Sequence, residues 1–346
     1  MRFGLLLVAL ASSISTPPLA AQTVAPQPSG LTRLLAAELA RFPSKSGLYV
    51  KQLATGEEAM VQADAHFDSA STIKIAVMVL AYQLADRKKL DLDERYEIKA
   101  SDLRGGTGIF RFNDFGLKAT WRDVITQMII TSDNSATDIM IKRVGGVAAV
   151  NDFLARSGYR ALRLNQTTLD YFRERLGVVD PKYRALSAGD VFALTSNVPW
   201  FTEPRAALIA QFRHDAAAID QAAATAKIAD VEESWLGVMT PREIGRMLEG
   251  IETETVASKA ACQEMKRILR AQQAGTRKIP HYLSVPVGHK TGETSGVTND
   301  VGIVYAKSGP IVIASFNMDM TGLQADGDDR IGKVARLVVE YFDGAR

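Results

Sequence analysis

The stretch "DSASTIKIAVMVL", residues 68–80, decides how this chain is read. From Thr72 to about Ala85 almost every position is apolar, whichever side of a helix it falls on. Such a helix lies inside a protein rather than on its surface. Yet Lys74 stands in its first turn, and a lysine in a buried helix is costly unless something pairs with it or uses it. Ser71 lies three positions earlier, and residues at i and i+3 share a helix face, about 5–6 Å apart at Cβ. A lysine so placed can take the serine's proton if burial and neighbouring charge lower its pKa. The helix N-terminus offers backbone N–H groups to a developing oxyanion. A capping serine with a snorkelling lysine has the same spacing, so the motif needs support from elsewhere in the chain.

Two stretches supply it. "IITSDNSATD" holds Ser132, Asp133 and Asn134 at the end of a predicted helix; a hydroxyl beside an amide suits proton relay and recognition of a substrate amide. "GHKTGETSGVTNDVGIV" holds Lys290, Thr291 and Gly292 just ahead of a predicted strand. Gly292 lets a ligand approach the backbone closely, and Lys290 and Thr291 offer a charge and a hydroxyl to a carboxylate.

Ser71-x-x-Lys74, Ser132-Asp133-Asn134 and Lys290-Thr291-Gly292 together resemble the motif trio of class A serine β-lactamases and penicillin-binding proteins. The 61 residues from Ser71 to Ser132 suit the class A arrangement, whereas the 158 from Ser132 to Lys290 exceed it and predict an insertion. "FDSASTIK", "MIITSDNSATDIMIKRVGG", "MTPREIGRML" and "TNDVGIV" extend the likeness, which covers nearly all of the mature chain except roughly residues 171–237. The resemblance implies that Ser71 is the nucleophile, Lys74 its base or part of a relay, and Ser132 the proton donor to the leaving nitrogen. It implies an oxyanion hole from the N–H groups of Ser71 and Glu293. Asn134 would hold the substrate's side-chain amide, and Lys290 and Thr291 its carboxylate. Neither a cofactor nor a metal is implied.

One element of the family pattern is missing. Class A enzymes activate the deacylating water with a glutamate in Glu-x-x-Leu-Asn. The closest match by spacing is Gln166-Thr167-Thr168-Leu169-Asp170, and an amide accepts no proton at neutral pH. Counting without gaps from Ser132 puts Thr168 there instead. Asp170 or Glu174 replaces the base only if the loop folds differently; otherwise both are solvated charges, Glu174 flanked by Arg173 and Arg175. No arginine stands near Thr298, Asn299 and Asp300 to help bind a carboxylate, which leaves Arg330 as a possible replacement or a surface charge. "RGGTGIF", residues 104–110, resembles the loop bordering the family's site, or else simply turns the chain.

Composition agrees with an ordinary globular enzyme. Across 346 residues, 41 Lys and Arg oppose 39 Asp and Glu, a net charge of +2 that gives no basic excess for nucleic acid. "MRFGLLLVALASSISTPPLAAQ" reads as an export signal: Arg2, a short apolar run over residues 3–11, and small residues near Ala20 and Ala21. No cysteine follows it, so no lipid anchor is expected. The single Cys262 rules out an internal disulfide and reads as buried and inert. His66, His214, His281 and His289 are scattered without helical metal spacing.

The expected organisation is a signal peptide (1–21), a flexible lead-in (22–30) and a discontinuous α/β domain (31–70 and 271–346). A mainly helical domain (71–270), with an extra segment at about 171–237, is inserted between them. "LTRLLAAELARF" predicts a helix, the residues around Thr55-Gly56 a β-hairpin, and Thr120 and Thr240 cap two further helices. "DVGIVYAK" and "IVIASFNMD" predict strands; Ile331, Val334, Leu337, Val338 and Tyr341 predict one face of a closing helix. The fold class is α/β (α+β): the β-lactamase/transpeptidase-like fold, an antiparallel sheet flanked by helices with an inserted all-helical domain. The expected protein is exported, periplasmic or secreted, monomeric, and acts on a small molecule. Three activities fit: β-lactam hydrolysis and antibiotic resistance, slow-deacylating penicillin binding or sensing, or hydrolysis of another amide or ester such as a peptidoglycan fragment.

Overall fold

The computed structural model describes residues 29–114, 116–196, 206–207, 210 and 231–344. The expected signal peptide, most of the lead-in, "VPWFTEP" and the alanine-rich residues 216–226 lie outside them.

The chain begins with α1 (Gly30–Leu39), whose Ser29 cap accepts the Thr32 N–H, then forms the hairpin β1 (Lys45–Gln52) and β2 (Glu58–Val61). Short β3 (Phe67–Asp68) leads through a 3-10 turn, Ala70–Ile73, into α2 (Lys74–Asp86). All of α2 from Lys74 to Tyr82 is buried, as its apolar faces require. A small ribbon, β4 (Arg95–Glu97) with β5 (Lys118–Thr120), precedes three helices: α3 (Trp121–Ile130), α4 (Asn134–Arg143) and α5 (Gly146–Arg156). Thr120 caps α3 in a reciprocal pair with Asp123. Beyond β6 (Arg163–Leu164) lie α6 (Thr168–Val179) and α7 (Ala188–Thr195), then β7 (Gly237–Met239). Next come α8 (Pro241–Glu252), capped by Thr240 with proline in its first turn, and α9 (Lys259–Arg270). The chain closes with β8 (Val287–Thr294), β9 (Val297–Ala306), β10 (Gly309–Met318) and α10 (Gln324–Phe342).

Strands from both ends of the chain build one antiparallel sheet, ordered β2-β1-β10-β9-β8. Successive side chains on a strand face opposite sides. Leu48, Val50, Ile311 and Ile313 therefore pack with Leu31 and Leu35 of α1 and with Ile331, Val334 and Val338 of α10. Tyr49, Val312, Ala314 and Phe316 face the larger core that includes α2, α3, α4, α8 and α9. The register pairs Tyr49 with Ala314 and Val50 with Ile313, so partners share a face. Helix α8 packs against β1, β9 and β10, and α9 against β8. These two helices thus cover the sheet although they lie inside the stretch expected to be the helical domain.

Two local expectations need correction. Lys290, Thr291 and Gly292 do not precede a strand; they lie within β8, because the hairpin turn falls later, at Ser295 and Gly296. Ser132, Asp133 and Asn134 are not simply a helix end. Helix α3 stops at Ile130, Ser132 takes a left-handed φ of 54°, and Asp133 caps α4 by accepting the Ala136 N–H at 2.9 Å. Within the described part of the extra segment, Tyr183, Leu186, Val191 and Leu194 form a small cluster of their own with Leu169, Phe172 and Leu176 of α6.

Candidate active site

Ser71 sits in the 3-10 turn that feeds α2. The residue before it, Ala70, has φ 43°, an unfavourable conformation for a residue with a side chain. Asp68 holds it there: its Oδ1 accepts the Ala70 N–H at 2.8 Å, and its backbone carbonyl accepts from Asn299 Nδ2 on β9 at 2.8 Å. The strand that faces this turn is β8, the sheet's edge. A Cβ on Gly292 would lie 2.7 Å from the Ser69 carbonyl oxygen and 3.2 Å from the Ala70 Cβ. Only glycine permits that approach, which sets Glu293 and Ser71 on the wall of one cleft.

Lys74 is fully buried. Its Nζ donates to the Ser132 carbonyl at 2.7 Å, to the Ser132 hydroxyl at 3.1 Å and to Asn134 Oδ1 at 3.0 Å. None of these three bonds goes to Ser71, so the direct serine–lysine contact expected from the i, i+3 spacing is absent at rest. Burial lowers the Lys74 pKa to about 7, against the opposing pull of Asp133 and Asp138. A substantial fraction of the amine is therefore neutral, and able to act as a base, near pH 7. Lys290, also fully buried, reaches the same Ser132 hydroxyl at 3.0 Å and the Thr291 carbonyl at 2.8 Å. Its pKa falls well below the usual lysine range, through burial first and the nearness of Lys74 second. The Ser132 oxygen thus accepts from two lysines. A hydroxyl has two lone pairs and one proton, so its own proton is free to point into the cleft.

The loop from Arg104 to Phe110 is tied onto this junction. Asp133 Oδ2 accepts the Ile109 N–H at 2.7 Å and the Phe110 N–H at 2.8 Å. Asn134 donates to the Gly105 carbonyl at 3.0 Å. Gly108, at φ 115°, leaves the Asp133 carboxyl room that a Cβ would fill at 2.3 Å. Burial nevertheless raises the Asp133 pKa despite those N–H donors.

Asp138 was not foreseen. It lies one helical turn beyond Asn134, a spacing that was legible in the sequence. Its carboxylate accepts the N–H groups of Thr168 at 2.7 Å and Leu169 at 3.0 Å, and pairs with Arg104 Nε at 2.6 Å. It thereby anchors the start of α6 over the site. Thr168, 2% exposed, lines the cleft, with its hydroxyl 3.2 Å from the Asn134 carbonyl. Gln166 turns away and donates to the carbonyls of Ser234 and Trp235. The ungapped count, not the motif match, finds the residue at the cleft.

Neither sequence candidate for the water-activating base lines it. Asp170 is spent on the Thr167 hydroxyl at 2.7 Å and on Arg173. Glu174 pairs with Arg184 at 3.0 Å rather than with either adjacent arginine. Among the described residues Glu293 is the one carboxylate on the cleft wall, and it is held by the buried ammonium of Lys278. Arg330 pairs with Glu38 beneath α1 and has no part in the cleft. Cys262 is buried against the Ala257 carbonyl, and burial raises its thiol pKa. The cleft has a volume of about 330 Å³.

Fold and cleft together define a serine hydrolase. The chain belongs to the β-lactamase enzyme family, whose profile matches residues 30–342. It is 26% identical over 289 residues to a β-lactamase of Bacteroides uniformis, covering 80% of this chain and 79% of that one. It is 30% identical to the β-lactamase L2 of Stenotrophomonas maltophilia over 157 residues, 43% of this chain and about half (52%) of that protein. Among solved structures, a β-lactamase from Sphaerobacter thermophilus DSM 20745 shares the fold with a TM-score of 0.67 at 24% identity, over 91% of this chain and 96% of that one. A point mutant of PBP-A, solved as an acyl-enzyme complex with penicillin G, also has a TM-score of 0.67, at 20% identity over the same shares of the two chains.

Proposed function

We propose that this protein hydrolyses the β-lactam amide through an acyl-serine intermediate. The observation that carries the reading is the Ser132 hydroxyl held between Lys74 and Lys290 at the floor of a cleft that Ser71 lines. In the first step Ser71 Oγ attacks the lactam carbonyl and its proton passes to the Lys74 amine. The negative oxygen is held by the N–H groups of Ser71 and Glu293. The C–N bond then breaks, and Ser132 gives its proton to the leaving nitrogen and is reprotonated from Lys74. Asn134 holds the substrate's side-chain amide; Lys290 and Thr291 hold its carboxylate. In the second step water attacks the ester and releases Ser71. The site lies at the seam of the sheet part (31–70 and 271–346) and the helical part (71–270). The protein acts after export, as a monomer without a membrane anchor, and confers resistance to β-lactam antibiotics.

A second reading concerns the second step. Thr168 occupies the wall where α6 meets the cleft, and no carboxylate of α6 joins it. A threonine cannot serve as a general base at neutral pH. This favours a long-lived acyl-enzyme, the behaviour of a penicillin-binding trap or sensor. Mixing the purified protein with a chromogenic β-lactam, while following both colour and intact mass, separates the two. Sustained turnover supports hydrolysis, a stoichiometric burst with a lasting adduct supports the trap, and neither turnover nor an adduct rejects both.

A further inference from the structure

Arg175 lines the cleft one helical turn beyond Tyr171 on α6, with its guanidinium 4.1 Å from the centre of the Tyr171 ring. Its Nε is buried without a hydrogen-bond partner. The other charges on this side are already committed: Arg173 pairs with Asp170, and Arg184 with Glu174. Asp68 feels the Arg175 charge, yet its oxygens face the Ala70 N–H at 2.8 Å and the Thr294 hydroxyl at 3.5 Å. A guanidinium stays protonated in a protein and presents a planar fork suited to a carboxylate. Arg175 is thus a permanent cation on the wall of a ligand cleft, with no carboxylate among the described residues in ion-pair contact.

Its place along the cleft is also defined. Thr294, which lines the cleft beside it, follows Lys290 by four residues on β8, about 13 Å at strand spacing. Phe172 bridges the gap: a Cβ on Gly106 would touch both Asn134 Nδ2, at 2.7 Å, and the Phe172 ring, at 3.2 Å. A ligand whose carboxylate sits at Lys290 and whose amide sits at Asn134 therefore runs past Phe172 and Tyr171 to Arg175.

We propose that Arg175 is a second anion anchor, and that the cleft selects ligands carrying an acidic group at the far end of their acyl side chain. The inference rests on the substrate orientation proposed above. The shared chemistry is a chain with a carboxylate at each end and an amide between them. A β-lactam with an acidic acyl group and a peptidoglycan-like peptide with an acidic residue both present it.

The test uses two penicillins that differ only in a carboxylate on the acyl side chain, and a short N-acyl peptide with and without an acidic residue. Each is titrated calorimetrically into Ser71→Ala protein, and each penicillin is also mixed with the unsubstituted protein to follow both its hydrolysis and the intact mass. An acidic member of either pair binding about tenfold tighter than its neutral twin, as expected for one charge-assisted contact, supports the anchor; the pair showing it identifies the source. Arg175→Gln is expected to bring that ratio to about one, and Arg175→Lys to keep part of it. A purely structural role for the arginine would weaken both twins equally. Equal affinities within both pairs in the Ser71→Ala protein overturn the anchor, whether or not acylation is seen. Absence of both hydrolysis and any adduct with the unsubstituted protein overturns the β-lactam reading instead, and leaves the binding ratios to judge Arg175.

Discussion

The Nζ of Lys74 lies 2.7 Å from the carbonyl oxygen of Ser132 and 3.1 Å from its hydroxyl. The lysine that the sequence pairs with Ser71 is thus bonded to a residue 58 positions further on. Two consequences follow for catalysis. The lysine is held by three acceptors, and in the proposed reaction the hydroxyl that would protonate the leaving nitrogen is already in contact with its proton source.

Because burial brings the Lys74 pKa to about 7, acylation is expected to rise with pH through that value and then level off. The amine must be neutral to accept the serine's proton, so activity falls as pH drops below 7. Stopped-flow acylation between pH 5.5 and 9 checks this. Lys74→Arg cannot lose its proton and should lower the acylation rate by on the order of 10²-fold or more while removing the inflection. A retained inflection near 7 in that variant would place the base elsewhere.

Gly292→Ala forces a methyl to within 2.7 Å of the Ser69 carbonyl, so β8 must move away from the Ser71 turn. Displacing the Glu293 N–H from the oxyanion is expected to reduce acylation by about 10²–10³-fold. The accompanying overpacking costs about 1–3 kcal/mol of stability. Equal acylation rates in variant and parent would show that this N–H does not serve the reaction.

Thr168→Glu would bring a carboxylate to the α6 wall of the cleft, where none stands among the described residues. The lifetime of the acyl-enzyme, read as decay of its mass adduct, is expected to shorten at least about tenfold, the low side of general-base catalysis. Glu174→Gln should leave the lifetime as it is, since Glu174 is half exposed and paired with Arg184. A lengthened lifetime in Glu174→Gln would reinstate that residue as the base.

Asp68 is buried and its carboxyl pKa is raised to about 6, chiefly by loss of solvent, with the Ala70 N–H and Arg175 pulling the other way. The folded state then binds this proton more tightly than the unfolded state does. Its contribution to stability is full below about pH 4 and is lost as pH rises through 6. Asp68→Asn keeps an acceptor for the Ala70 N–H and carries no charge. It should remove that slope and stabilise the protein at pH 7 by on the order of 2 kcal/mol. Denaturation curves from pH 4 to 7 decide; parallel curves for the two proteins would mean that Asp68 is already compensated.

The elements with strong periodicity were legible before any coordinates. The all-apolar run after Lys74, the apolar strands β9 and β10, buried on both faces, and the Ile331–Val334–Val338 face of α10 each sit where their pattern requires. Locally ambiguous stretches were not. The β8 hairpin turns at Ser295-Gly296 rather than before Lys290, because "KTGET" has neither helical nor alternating apolar spacing to mark it as strand. The Ser132 junction reads as a helix end because no local signal announces the left-handed φ that reverses the chain there.

Taken by itself, the sequence determined which side chains suit the proposed chemistry and that Lys74 belongs to a buried helix, since both follow from residue type and spacing. Only the tertiary structure decided who bonds to whom. Lys74 meets Ser132 instead of Ser71, Thr168 rather than Gln166 faces the cleft, Glu174 leaves it for Arg184, and Arg175 remains on its wall with no acid among the described residues to pair with. The reason is physical: pairing and desolvation depend on distances between segments far apart in the chain. Those distances are set by how the sheet, the Asp133 and Asp138 anchors and α6 pack together, and local sequence carries no record of them.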